Sequence, residues 1–385
     1  MRSFDECQDD AFWADPAAAF QRLFEAGERV LKAPDGSICL FGYGYLTAFA
    51  RHPAIDGPAV PEQGHGMPEA VAEFFRAGLF AQSGETHRWQ RRAALAGLGT
   101  ASVVGRPDEI DGIVRDCLDR IAPDVPIDLA RDLVRPIAAR VWTMFVDYPP
   151  RTAETLDACA EVLADPTSPH HLQVDAARKV AEMTAETRGD GSAFIDAIEG
   201  ADPERGFDAP PLVASMIVDG IDSATAGIAG ALSVLAEQPP LALRPFGHER
   251  CLEEALRLWM PVILSMRQAA QDVVVEGVEV PQGTVLWMWW GAGCRDPGAY
   301  PEPGSFRPDR RGPLAPVFGA GRHACLGHAL VRTTALALLQ ALADRECSLV
   351  ACCAATPCPP WRLARIPHRQ VRLERLPRRG ALRPA

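Results

Sequence analysis

The sequence predicts a mainly α fold with small antiparallel β-sheets, and three observations carry that prediction. Most of the first two thirds is rich in Ala, Leu, Glu and Arg, with apolar residues at helical spacing. One run, residues 211–236, is apolar nearly all round; as a helix it spans roughly 39 Å and runs through a core. Strand signals are confined to short stretches set off by Pro, Asp and Gly turns.

Taken in order, the segments at 16–26, 108–121, 126–146, 152–164 and 172–199 read as helices. Arg29–Leu31 and Ser37–Phe41 flank Pro34-Asp35-Gly36, a turn sequence, and suggest a small sheet near the start of the chain. In the long apolar helix, Asp219 and Asp222 sit beside Gly220. Two acids at its middle argue against a membrane span and break the buried pattern, which calls for a functional explanation. A further helix lies at 247–258. Val273–Trp290 alternates and carries Glu276-Gly277 and Pro281-Gln282-Gly283 turns, so it reads as short antiparallel strands. The Pro-rich stretch 297–316 is expected as irregular loop, and a last helix at 326–342 places Leu326, Leu330, Leu336, Leu339 and Leu342 on its apolar side. The Arg-rich tail, 362–383, alternates through Val371, Leu373 and Leu376 and is expected to form exposed strand edges. No repeat or linker divides the chain, so residues 1–385 are expected to form one domain.

The chain is 48% hydrophobic and 23% charged, values of an ordinary globular protein. Its formal net charge of -11 argues against nucleic acid as a partner, since phosphate binding needs a basic surface. The acidic, polar start lacks the layout of a signal peptide, which points to a cytoplasmic protein without a membrane anchor. Eleven scattered cysteines then read as free thiols of a reducing compartment. Cys352, Cys353 and Cys358 cluster, but no second ligand pair completes a zinc pattern.

The strongest local signal is Phe318-Gly319-Ala320-Gly321-Arg322-His323-Ala324-Cys325-Leu326-Gly327, a glycine-punctuated loop that delivers a cysteine to the start of a helix. Gly319, Gly321 and Gly327 permit backbone conformations and close approaches that a side chain would block. Free N–H groups and the dipole at the helix start favour an anionic sulfur at Cys325. These ten positions resemble the haem loop of the cytochrome P-450 family, the haem-thiolate monooxygenases, in its soluble prokaryotic form. The resemblance implies the single-domain P-450 fold, with haem b (iron protoporphyrin IX) between the long central helix and the helix after the Cys loop. It makes Cys325 the iron ligand, sets Phe318 beside the sulfur and brings His323 to a haem propionate.

Distant segments extend the resemblance in order along the chain. Glu254-Ala255-Leu256-Arg257 matches the family's Glu-x-x-Arg signature, with both side chains on one helix face, and Arg310 is the candidate third member of that structural lock. His87 and Arg91, one helical turn apart, resemble the pair that meets a haem carboxylate, and Arg267 corresponds to another propionate arginine. Asp219-Gly220-Ile221-Asp222-Ser223-Ala224 lies where the family shows a small residue, Gly, x, an acid and two hydroxyl residues. Asp222 and Ser223 are the implied proton relay, and Gly220 is expected to relax the helix for oxygen and water. The segment departs from the pattern at Asp219, at Ser223 in place of Thr and at Ala224. Ser215, Met216, Asp219, Val262 and Ile263 are the implied substrate-pocket residues.

The function expected is a monooxygenase oxidising a small organic substrate, in secondary metabolism. Electrons are expected from a ferredoxin and its reductase or equivalent donors, because no flavin or iron-sulfur domain follows the loop. Arg88, Arg322 and Arg332 could attract such a donor, and the protein is expected as a monomer. A second reading keeps the haem thiolate but performs oxidative coupling, peroxide-driven oxidation or rearrangement without net oxygen insertion, supported by the departures at 219–224. A third, a non-enzymatic haem sensor, predicts an output domain that this sequence does not offer.

Overall fold

Local chemistry sets where the helices begin and end. The computed structural model describes residues 10–57, 66–201, 207–239, 243, 245–354 and 366–376. The first half runs α1 (Asp10–Ala14), α2 (Pro16–Glu25), β1 (Val30–Lys32), β2 (Ile38–Leu40), α3 (Tyr43–Arg51), β3 (Ile55–Asp56), α4 (Glu69–Arg76), α5 (Gly84–Leu98), α6 (Thr100–Val104) and α7 (Pro107–Asp119). After β4 (Ile127–Asp128) come α8 (Arg135–Phe145), α9 (Ala153–Ala164), α10 (His170–Asp190), α11 (Ala193–Glu199) and α12 (Pro210–Leu235). The rest is α13 (Gly247–Trp259), β5 (Ser265–Ala269), β6 (Val273–Val275), β7 (Val278–Val280), β8 (Val285–Met288), α14 (Trp290–Gly293), α15 (His328–Asp344), β9 (Cys347–Ala351) and β10 (Gln370–Arg375). In α2 the Asp15 carboxylate accepts from the Ala18 N–H at 3.0 Å and Pro16 opens the first turn, which together satisfy the helix start.

Two expected helices are divided by identifiable residues. The segment expected as one helix over 172–199 breaks at Gly191, whose φ of 92° ends α10, and Ser192 then caps α11 through the Ile195 N–H. The segment expected over 126–146 starts as β4, passes through a π-helical turn at Leu129–Val134, and only then becomes α8. The long helix α12 forms as expected and is buried nearly all round. Gly220 and Gly230 set how closely its neighbours approach: a Cβ on Gly220 would lie 2.2 Å from the Trp142 ring, and one on Gly230 1.9 Å from Trp259. The role expected of Gly220, relaxing the helix for oxygen, is thereby corrected. α12 is helical through this point, and the missing side chain makes room for an indole from α8.

The larger sheet has the order β1-β2-β8-β5-β3. Its β2–β8 pair is parallel, with Ile38 opposite Leu286, so the sheets are not wholly antiparallel as expected. β6 and β7 form a hairpin, and β4-β10-β9 form a third sheet. The tail expected as an exposed edge instead supplies β10, the central strand of that sheet, with Val371 and Leu373 buried. Partners at least twenty residues away in sequence pair with it along both edges, which the local alternation could not show. Residues 377–385 and 355–365, with Cys358, lie outside the described residues.

Candidate active site

The Cys325 loop is built by backbone constraint. Gly319 and Gly321 hold φ values of 68° and 71°, in the left-handed region that favours glycine. A Cβ on Gly321 would stand 1.9 Å from the Ala50 carbonyl oxygen, so this loop packs directly on the end of α3. The Cys325 N–H donates to the Phe318 carbonyl at 2.8 Å, and the sulfur accepts from the Gly327 N–H. Gly327 itself has φ of -84° and caps α15. The thiol is accessible to small molecules yet enclosed by protein, and burial raises its pKa despite the Gly327 N–H and the fields of Arg91 and Arg332. A metal that binds the sulfur deprotonates it outright. Phe318 lies under the Arg332 guanidinium at 4.5 Å, and Arg332 in turn makes two bonds to Glu253, at 2.6 and 3.0 Å.

Beside the loop, two imidazoles and two arginines gather around one acid. His87, on α5, is 2% exposed, and its Nδ1 has no hydrogen-bond partner. Its ring lies 3.8 Å from that of His323, centroid to centroid. Burial first, then Arg91, holds the His87 pKa down at about 4. Burial first, then Arg267, does the same to His323, also to about 4. Arg267 is 6% exposed and burial lowers its pKa to about 10; Arg91 is lowered by burial as well. Neither arginine forms an ion pair among the described residues. One acid that sequence reasoning missed does enter the group: Asp56 accepts from His323 Nε2 at 3.0 Å and from the Gly57 and Gly84 N–H groups at 2.8 and 2.9 Å. Asp56 sits in a two-residue strand without any motif, so only the tertiary contact reveals it.

On α12 the two acids have different surroundings. Asp222 is buried, and its Oδ1 accepts from Arg135 Nη1 at 2.9 Å, while Arg135 Nε donates to Asp157 at 2.7 Å. The Asp222 carboxylate of the expected Asp222–Ser223 pair is thus held in an ion pair. Asp219 has no hydrogen-bond or ion-pair partner among the described residues, and burial, with Asp222 nearby, raises its pKa to about 7. Ser223 stays half-buried. Asp219, Ser223 and Gly227 recur at intervals of four and share one face. A Cβ on Gly227 would lie 3.5 Å from Val331 of α15, so this face looks towards the helix that follows Cys325. Among the expected pocket residues, Ser215 is fully buried under Gly78 and Ile263 packs behind Gly291. Both are core contacts, which corrects their expected lining role. Met216 is largely buried, and Val262 is half-buried with Asp219.

The expected lock forms in full. Glu254 accepts from Arg257 at 2.7 and 2.8 Å and from Arg310 Nε at 3.2 Å, and Arg257 also donates to the carbonyls of Cys294 and Pro303. A family model for cytochrome P450 matches residues 248–342, which span this lock and the Cys325 loop. Cytochrome P450 144 from Mycobacterium tuberculosis is 32% identical over 139 residues, 35% of this chain. That match spans 32% of the relative's length. Over these segments the chain is similar to the cytochrome P450 family.

Protein AknT from Streptomyces galilaeus is 27% identical over 372 residues, covering 86% of this chain and 82% of that protein. The crystal structure of P450BioI, in complex with acyl carrier protein ligated to hexadec-9Z-enoic acid, has the same fold. Its TM-score is 0.83 at 20% identity, with 95% of this chain and 100% of that chain covered. A P450 carries haem, and the residues present fit it. The orphaned His87 Nδ1, the half-buried Arg91 and the buried Arg267, both arginines without ion pairs among the described residues, suit two carboxylates, and an accessible enclosed thiol suits the iron.

Proposed function

We propose that this P450 is a haem-thiolate monooxygenase that oxidises a small organic substrate, with residues 1–385 forming one haem domain. The observation that carries the reading is the Cys325 thiol beside His87, Arg91, Arg267 and His323, where neither arginine has an ion pair among the described residues. Cys325 would bind the iron of haem b, and His87, Arg91 and Arg267 would hold its propionates. His323, already bonded to Asp56, would reach them from the loop side. Phe318, Gly319 and Gly327 shape the loop around the sulfur. Bound haem supplies dioxygen reduction and oxygen transfer, and the thiolate's electron donation favours O–O cleavage.

On the α12 side, Ser223 can accept and donate a proton, and its hydroxyl is free to turn. Asp222 positions the helix through Arg135. Electrons would come from a ferredoxin and its reductase, or equivalent donors. Of the three arginines expected to attract a donor, Arg88 is exposed, whereas Arg332 is tied to Glu253 and Arg322 lies 3.7 Å from Asp56. The reading places the protein in the cytoplasm as a monomer, in secondary metabolism.

The reduced, carbon-monoxide-bound spectrum tests it: wild type should give the thiolate band and Cys325→Ala should lose it. A haem-loaded wild type without that band would overturn the assignment. The departures of residues 219–224 from the family pattern support one second reading, in which peroxide drives the reaction or no oxygen atom is inserted. Turnover with labelled dioxygen decides between them, since product without the label would replace monooxygenation with the second reading.

A further inference from the structure

The side chains offered to the haem carboxylates come from separate elements, and one acid sits where those elements meet. β5 carries Arg267, α5 carries His87 and Arg91, and the Cys325 loop carries His323. On β3, Asp56 pairs with Gln268 of β5, the neighbour of Arg267. Its Oδ2 accepts from the N–H of Gly84, the first residue of α5, at 2.9 Å. Its Oδ1 accepts from His323 Nε2 at 3.0 Å and from the Gly57 N–H at 2.8 Å. Backbone is pressed tightly here: a Cβ on Gly57 would lie 2.4 Å from the Gln82 carbonyl oxygen, just ahead of α5. An ionised carboxylate suits donors converging on both of its oxygens, whereas an amide would turn its own N–H towards one of them.

We propose that Asp56 is the positioning residue of the haem-carboxylate site, fixing the start of α5 and the Cys325 loop against β5 so that His87, Arg91, Arg267 and His323 stand together before haem arrives. This rests on the haem-monooxygenase reading above and adds a residue that acts through the four it names. Asp56 does not itself neutralise the site: its ion-pair contacts are His323 and, at 3.7 Å, Arg322, while His87 Nδ1 stays without a partner. Holding several cationic groups close together is costly, and the field of Asp56 on His87, His323 and Arg267 offsets part of that cost. Segments already ordered in the free protein lose less freedom on binding, so the anchor strengthens haem retention without touching haem.

The test compares haem-loaded wild type with Asp56→Asn, His323→Gln and the double variant. Asp128→Asn serves as the control, because it alters a buried acid in the sheet of β4, β10 and β9. Haem transfer to apomyoglobin, the propionate-bending mode in resonance Raman and melting of the haem-free protein would be recorded for each. Asp56→Asn and His323→Gln should each release haem about tenfold faster and shift the propionate mode. Because Asp56 acts partly through His323, the double variant should fall well short of the roughly hundredfold loss that independent effects would give. Asp128→Asn should leave the rate and the mode unchanged. If melting shows that Asp56→Asn does not fold, Asp56→Glu, one methylene longer, is read by the same criteria. Wild-type haem loss, an unmoved propionate mode, a double variant at the full product or an equal effect of Asp128→Asn would each overturn the assignment. The carbon monoxide band of the wild-type sample separates the two readings. Its presence with unmoved haem readouts removes the role of Asp56 alone. Loaded protein without the band removes the monooxygenase reading, and haem loss and the propionate mode still decide Asp56. A wild type that takes up no haem overturns both.

Discussion

Asp219, His87 and His323 are ionisable groups whose pKa values burial moves in opposite directions, and each leaves a distinct signature in stability. Asp219 titrates at about 7 in the fold against an ordinary 3.8, so the native state holds an extra proton between those values. Stability therefore falls as pH rises from about 4 through about 7. Asp219→Asn should raise the melting temperature at pH ~8, with the gain vanishing near pH ~4. The two histidines do the reverse. Their native pKa of about 4 lies below the usual 6.5, so stability is present above that value and is lost as pH falls towards 4. Melting curves of haem-free protein should show this loss, and haem loading should reduce it, because propionates favour the protonated rings. Equal pH profiles with and without haem would contradict the assignment of His87 and His323 to the propionates. Arg135 is the fourth residue whose contribution can be measured. Arg135→Met leaves Asp222 and Asp157 buried without a cation and should cost about 3–5 kcal/mol in denaturant unfolding.

At the scale of the element, glycine positions decide the Cys325 loop and the long helix. Gly321→Ala places a Cβ against the Ala50 carbonyl at a positive φ, and neither backbone can yield cheaply. The expected outcome is folded protein with little haem incorporated, read from the ratio of haem absorbance to protein absorbance. Gly220→Ala meets the Trp142 ring instead, and overpacking of that kind costs about 1–3 kcal/mol. Much of this scale was legible in the sequence: the long apolar helix, the Glu254–Arg257 helix and the loop's glycines stand where their patterns place them. What the patterns missed was local interruption, as at Gly191, where one left-handed residue divides a continuous run of helix formers.

Across the whole molecule, the lock of Glu254, Arg257 and Arg310 joins α13 to the irregular segment leading to Cys325. Arg257 is 2% exposed and reaches the carbonyls of Cys294, Pro303 and Ser305 while it bonds Glu254. Glu254→Ala would leave that guanidinium and Arg310 without their carboxylate. It should cost about 3–5 kcal/mol and lower haem retention together with the denaturation midpoint. A midpoint unchanged within error would show that the carbonyl contacts alone hold the segment. Side chains from distant segments also meet where Asp56 accepts from His323 and Asp222 accepts from Arg135.

The sequence by itself determined the fold class, the cysteine loop and the identities of the cationic residues around it, because each is written in local spacing or in a contiguous motif. Tertiary structure decided the roles. Long-range packing, which no local period encodes, set β10 between two distant strands, pressed Trp142 onto Gly220 and tied Asp222 to Arg135. Burial then overrode the helix-start field at Cys325, because removing a thiolate from water costs more than one N–H and two arginines return.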